Sequence, residues 1–153
     1  MFTKDEKKDL TKRFWQDLAE RLKVAGKMKG RNIDWMNYPN RINHLYFRME
    51  ADLEVVRFCI DIQFLDAGLR EVYFEQFEEF KVMLTTQMPY EMTWLKSFEH
   101  PNSKNIARIF CELKDVNIYN EKDWPKSHQF LTDSFLALDD FWQDFGDVFK
   151  GLK

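Results

Sequence analysis

Two runs of alternating side chains constrain this chain most. Across residues 42–51, Leu45, Phe47, Met49 and Ala51 fall on one side and His44, Tyr46, Arg48 and Glu50 on the other. Across residues 54–64, Val56, Phe58, Ile60, Ile62 and Phe64 share a side, with Val55, Arg57, Cys59, Asp61 and Gln63 opposite. A period of two marks strands with one buried face. If the runs turn about Asp52-Leu53, Leu45 meets Ile60, Phe47 meets Phe58 and Met49 meets Val56. Both apolar sets then land on one face, which a hairpin register must achieve.

The remaining segments supply partners for that face. Thr3 and Glu6 have the spacing of a capping box, opening a helix over residues 4–25 with Leu10, Phe14, Leu18 and Leu22 in one stripe. The glycines of GKMKGRN end it, and residues 32–38 (NIDWMNY) read as a short strand stopped by Pro39. Asp66 caps a second helix to residue 86, with Leu69, Tyr73, Phe77, Phe80 and Leu84 inward. Residues 91–98 and 106–113 read as a second hairpin joined by HPNSKN. Asp123 before Trp124-Pro125 starts a last helix to about residue 150. Along it Leu131, Phe135, Leu138, Trp142, Phe145, Phe149 and Leu152 are spaced as a heptad-like seam, expected to pack within the chain. The expected fold is α+β, a single domain over residues 1–153. Its sheet is mixed or antiparallel, with four to five strands in two hairpin units and three helices, in the order α-β-β-β-α-β-β-α.

Composition agrees. The 15 Phe, 5 Trp and 5 Tyr in 153 residues fill a sizeable core, and 32% charged residues suit a water-facing surface. No apolar run reaches the length of a membrane span, so no membrane partner is expected. The N-terminal MFTKDEKKDL lacks the apolar stretch of a signal peptide, which places the expected location in the cytoplasm. Cys59 and Cys111 have no metal-binding spacing and read as reduced core thiols. Net charge is −3, against a general nucleic-acid coat, yet residues 1–31 hold ten Lys/Arg against five Asp/Glu. That basic helix would meet an anionic partner or the chain's own acidic remainder.

The chain has no phosphate loop, HExxH, CxxC or GxSxG, and His44, His100 and His128 lie on separate elements. No catalytic residue, metal site or cofactor is expected. The outer face of the first hairpin is the best candidate for binding: His44, Tyr46, Arg48, Arg57 and Asp61. In the register above His44 faces Asp61, Tyr46 faces Cys59 and Arg48 faces Arg57. Two opposed guanidiniums need neutralising, either by Glu50 and Asp61 or by an anion such as a phosphate, with Tyr46 stacking on a base. A metal-dependent nuclease would use Glu50, Asp61 and Gln63, but Asp-Ile-Gln lacks the lysine such chemistry wants. The acidic stripes Glu71, Glu75, Glu78, Glu79 and Asp139, Asp140, Asp144, Asp147 read as solvated helix faces.

The order of several motifs resembles the bacterial family catalogued as domain of unknown function 4268. They are Phe14-Trp15, IDWMNY at 33–38, HLYFRMEA at 44–51, VRFCIDIQF at 56–64, FEQFEEFK at 74–81, MTWL at 92–95, ARIF at 107–110 and DWP at 123–125. The resemblance implies no established activity and no catalytic residues. In some larger relatives a similar domain follows a nuclease domain, which implies company in genome defence or repair. Three readings follow: a non-enzymatic module binding nucleic acid or another anionic ligand through the hairpin, a protein-interaction subunit such as a homodimer, or a divergent nuclease.

Overall fold

The first helix begins where its cap dictates. Thr3 Oγ1 accepts the amide of Glu6 at 3.1 Å, and Glu6 Oε1 accepts the amide of Thr3 at 3.0 Å. The computed structural model describes residues 1–99, 101 and 104–152 and places α1 at Lys4–Met28. Leu10, Phe14, Leu18 and Leu22 are buried along it. It passes the expected stop because Gly26 serves the helix: a Cβ there would lie 2.7 Å from Nε1 of Trp35.

Residues 32–38 do not form the expected strand. The Asp34 carboxylate accepts the amides of Met36 and Asn37 and closes a one-turn 3-10 helix at Trp35–Asn37. A local side-chain acceptor has displaced a ladder. The described strands are β1 (Leu45–Ala51), β2 (Val55–Ile62), β3 (Thr93–Glu99) and β4 (Asn105–Lys114). They form one antiparallel sheet in the order β1-β2-β4-β3. The expected α+β class and two hairpins are present; the HPNSKN turn lies largely outside the described residues.

The first hairpin turns one residue later than expected. Asp52 Oδ1 accepts the amides of Glu54 and Val55, and Asp52 N donates to Val55 O at 2.9 Å. Aspartate at the first turn position supplies such an acceptor, which moves the turn centre to Leu53-Glu54. Leu45 therefore pairs with Ile62, Phe47 with Ile60 and Met49 with Phe58. This shift of two residues leaves every side chain on its expected face but changes each opposite pair.

Three more helices complete the chain. The second expected helix breaks at Phe80 into α2 (Ala67–Glu79) and α3 (Lys81–Gln87), giving four helices rather than three. The break lets Phe80 meet Phe141, Phe145 and Phe149 while Leu84 stays buried. α4 (Trp124–Lys150) spans the inner sheet face. Its seam packs within the chain as expected, with Phe135 against Trp35 and Phe58, and Trp142 against Phe47. Among the described residues no helix is long and apolar enough to cross a membrane.

The helices gather on that inner face, where Phe47, Phe58, Ile60, Ile62, Ala107 and Ile109 join one cluster with them. Val55, Cys59 and Ile106 are buried on the outer face, apart from this cluster. Among the described residues no helix joins the outer face, which holds Tyr46, Arg48, Arg57 and Asp61.

Candidate functional site

Alternation places Tyr46, Arg48 and Glu50 of β1 beside Arg57, Cys59 and Asp61 of β2, then Arg108, Phe110 and Glu112 of β4. The corrected register separates the two arginines that were expected to face each other. Arg48 lies opposite Cys59, and Arg57 lies between Glu50 and Glu112. Arg57 Nε meets Glu112 Oε2 at 2.8 Å, and its Nη1 lies 3.6 Å from Glu50 and 3.8 Å from Asp52. No anion is needed to neutralise it.

Asp61 is fully buried, not a surface contact. Arg108, its direct neighbour on β4, grips it through Nε (2.7 Å) and Nη2 (2.9 Å). The same guanidinium bonds Glu50 at 3.2 and 3.1 Å and rests over the ring of Phe98. Burial pushes the Asp61 carboxyl above its ordinary range, while Arg108 pulls the other way. Burial also raises the Cys59 thiol.

His44 stands outside this group. Its backbone is left-handed, with φ 71°, and its ring turns toward Phe64, 5.7 Å between centroids. It does not face Asp61; Tyr46 does. Tyr46 and Arg48 are exposed and stacked, the guanidinium carbon 4.3 Å from the ring centroid. Among the described residues no carboxylate lies within ion-pair reach of Arg48. The structure therefore brings Tyr46 with Arg48, and Arg57 and Asp61 into one ionic network.

Arg108 and Glu112 were not among the sequence candidates. Alternation of Ala107, Ile109, Cys111 and Leu113 already points both outward, but their role depends on β4 lying beside β2. Three of the cavities border the face or its β1 edge. One, about 590 Å³, is lined by Arg57, Glu112, Lys114, Asp115 and Asp123. A second, about 370 Å³, follows the outer edge of β1 beside Trp15, Trp35 and Met36. A third, about 220 Å³, lies between Tyr46 and Arg48 and the segment of Met36, Tyr38 and Asn40.

Glu50 and Asp61 hold the Arg108 guanidinium between them, where a nuclease would want a divalent ion. Among the described residues no three His, Cys, Asp or Glu side chains are arranged to hold a metal. The basic helix partly serves its own body: Arg13 meets Glu121 at 2.7 Å, and Arg31 grips Asp139 at 2.8 Å. Asp139 is buried, contrary to its expected place on a solvated face. Arg31, Tyr38 and Gln143 all donate to it.

Fold and site together define a two-layer α+β domain: helices on one sheet face, and an ionic network with a stacked Tyr–Arg pair on the other. The chain belongs to the family described as Domain of unknown function (DUF4268), whose sequence profile matches residues 10–146. No curated protein and no solved structure matches it.

Proposed function

We propose that the chain is a non-enzymatic protein-interaction module that presents the outer face and free edge of β1 to a protein partner. The observation that carries this is the Tyr46–Arg48 pair, exposed and stacked, beside a network whose other arginines are already matched by carboxylates. Tyrosine and arginine are the residue types that anchor protein interfaces. A phosphate backbone, by contrast, is held by several uncompensated cations, and among the described residues the neighbourhood of Tyr46 offers Arg48 alone. The nucleic-acid or anionic-ligand reading keeps that single contact, and the nuclease reading meets an arginine where its metal would sit.

A photo-crosslinking residue in place of Tyr46 tests the proposal in cells, with one in place of exposed Val72 on α2 as control. Protein adducts specific to position 46 are expected. Nuclease-sensitive adducts at that position would transfer the site to nucleic acid, and no specific adduct would end the proposal.

A further inference from the structure

β1 ends the sheet, and its outward backbone can be read residue by residue. Gln63 N donates to His44 O at 2.7 Å, and Asp52 N to Val55 O at 2.9 Å, both in phase with the β1–β2 register. The even-numbered residues of β1 therefore spend their peptide groups on β2, and the odd-numbered ones direct theirs outward. Asn40 Nδ2 already occupies the outward carbonyl of Leu45 at 2.8 Å. Phe47, Met49 and Ala51 keep outward peptide groups with no partner among the described residues. This edge has no bulge and no proline, two of the devices that keep another strand away.

We propose that a second copy of this chain pairs antiparallel along that edge, with a two-fold axis at Met49. The inference rests on the protein-interaction reading and names its partner. Only this symmetric register uses Phe47, Met49 and Ala51 together while sparing Leu45. Centring the axis on Arg48 or Phe47 would require the Leu45 carbonyl that Asn40 holds. With the axis at Met49, each Phe47 lies opposite the partner's Ala51, and about six peptide hydrogen bonds form.

Charge selects the same register. Arg48, with no carboxylate within 4.0 Å among the described residues, falls opposite the partner's Glu50, and the pair repeats by symmetry. The carboxylates Glu50, Asp52, Asp61 and Glu112 are balanced by Arg57, Arg108, Lys114 and the chain's own Arg48, so the pairing exchanges one Arg48 for the other, and the partly exposed Glu50 can reach the partner's while keeping Arg108. On the inner side the cavity beside Trp15, Trp35 and Met36 continues the edge and receives the partner's Met49.

Sedimentation velocity of the full chain across the micromolar range is the test, with folding of each variant checked by circular dichroism. The wild type sediments as a dimer. Arg48→Glu places like charges opposite one another and weakens association about tenfold or more. Met49→Pro removes an outward N–H that the β1–β2 ladder does not use, and yields a monomer. On mild oxidation Met49→Cys cross-links to itself, since opposing Cα atoms lie about 5.5 Å apart, and Phe47→Cys does not. Cys59 and Cys111 are buried and do not compete. A monomeric wild type, a dimer untouched by Arg48→Glu and Met49→Pro, or self-cross-linking of Phe47→Cys instead would each overturn the inference. A monomer that still gives protein adducts at position 46 would leave the interaction reading standing with a different partner.

Discussion

Asp139 and Asp61 are both buried carboxylates gripped by two nitrogens of an arginine, yet their surroundings differ. Asp139 on α4 receives donors only: Arg31, the Tyr38 hydroxyl and the Gln143 amide. Its lone pairs are matched, and it fastens the segment after α1 to the last helix. Asp61 shares Arg108 with a second carboxylate, Glu50, which also draws on Arg57. Beside them Arg48 acts on Asp61 at a distance, with no carboxylate within 4.0 Å among the described residues. The first site is closed and structural. The second is shared at an open sheet edge, where Arg48 remains exposed and can exchange with a partner.

Removing each arginine breaks or sharpens the contrast most strongly. Arg108→Ala strands Asp61 and Glu50 together and is expected to cost about 3–5 kcal/mol. Arg31→Ala leaves Asp139 with Tyr38 and Gln143 and is expected to cost about 2 kcal/mol. Urea denaturation of both variants checks the order, and equal losses would erase the distinction between a closed and a shared site. Within the closed site, Tyr38→Phe deletes one donor to a charged acceptor and should cost about 1–2 kcal/mol by the same measurement. A negligible loss would mean that Arg31 and Gln143 suffice.

The sequence reading placed both aspartates at the surface, and the structure buries both, for physical reasons. Asp61 alternates with apolar residues on β2, so its outward face was legible. Its burial was not, because that depends on Arg108 arriving from β4, and hydrophobic pattern does not specify which hairpin strands become neighbours. The turn shifted for a related reason: displacement by two residues preserves both faces, so alternation cannot detect it. Only the reach of the Asp52 carboxylate decides it. Asp139 did carry a usable signal. It lies four residues after Phe135 and three before Trp142, inside the buried stripe of α4, where a solvated carboxylate cannot sit. The segment at 32–38 looked like a strand until Asp34 is considered as a cap. The caps, the stripes and the strand faces were legible because each is a local periodicity.

A third buried titratable group separates the two layers by pH. His128 lies under Phe14 and Trp124, its Nε2 3.0 Å from the Phe14 carbonyl, and burial lowers its pKa. The unfolded chain then binds the proton more readily than the folded one, so His128 contributes stability above about pH 6.5 that is lost as pH falls through its folded value. Compared with the wild type, His128→Gln should show a flatter fall of stability between neutral pH and pH 5. An unchanged slope would remove His128 as the source of that fall.

The smallest expected effect is the most informative about function. Among the described residues Arg48 stacks on Tyr46 and reaches Asp61 only at a distance, so Arg48→Ala should change the stability of the isolated monomer by no more than about 0.5 kcal/mol. A loss approaching that of Arg108→Ala would place Arg48 inside the ionic network and close the site. If stability is untouched, an arginine remains beside a carboxylate-rich network with no structural task in its own chain. Its cost in association, measured in the same variant by sedimentation, would then report what the outer edge of β1 does for a second molecule and nothing of what it does for the fold.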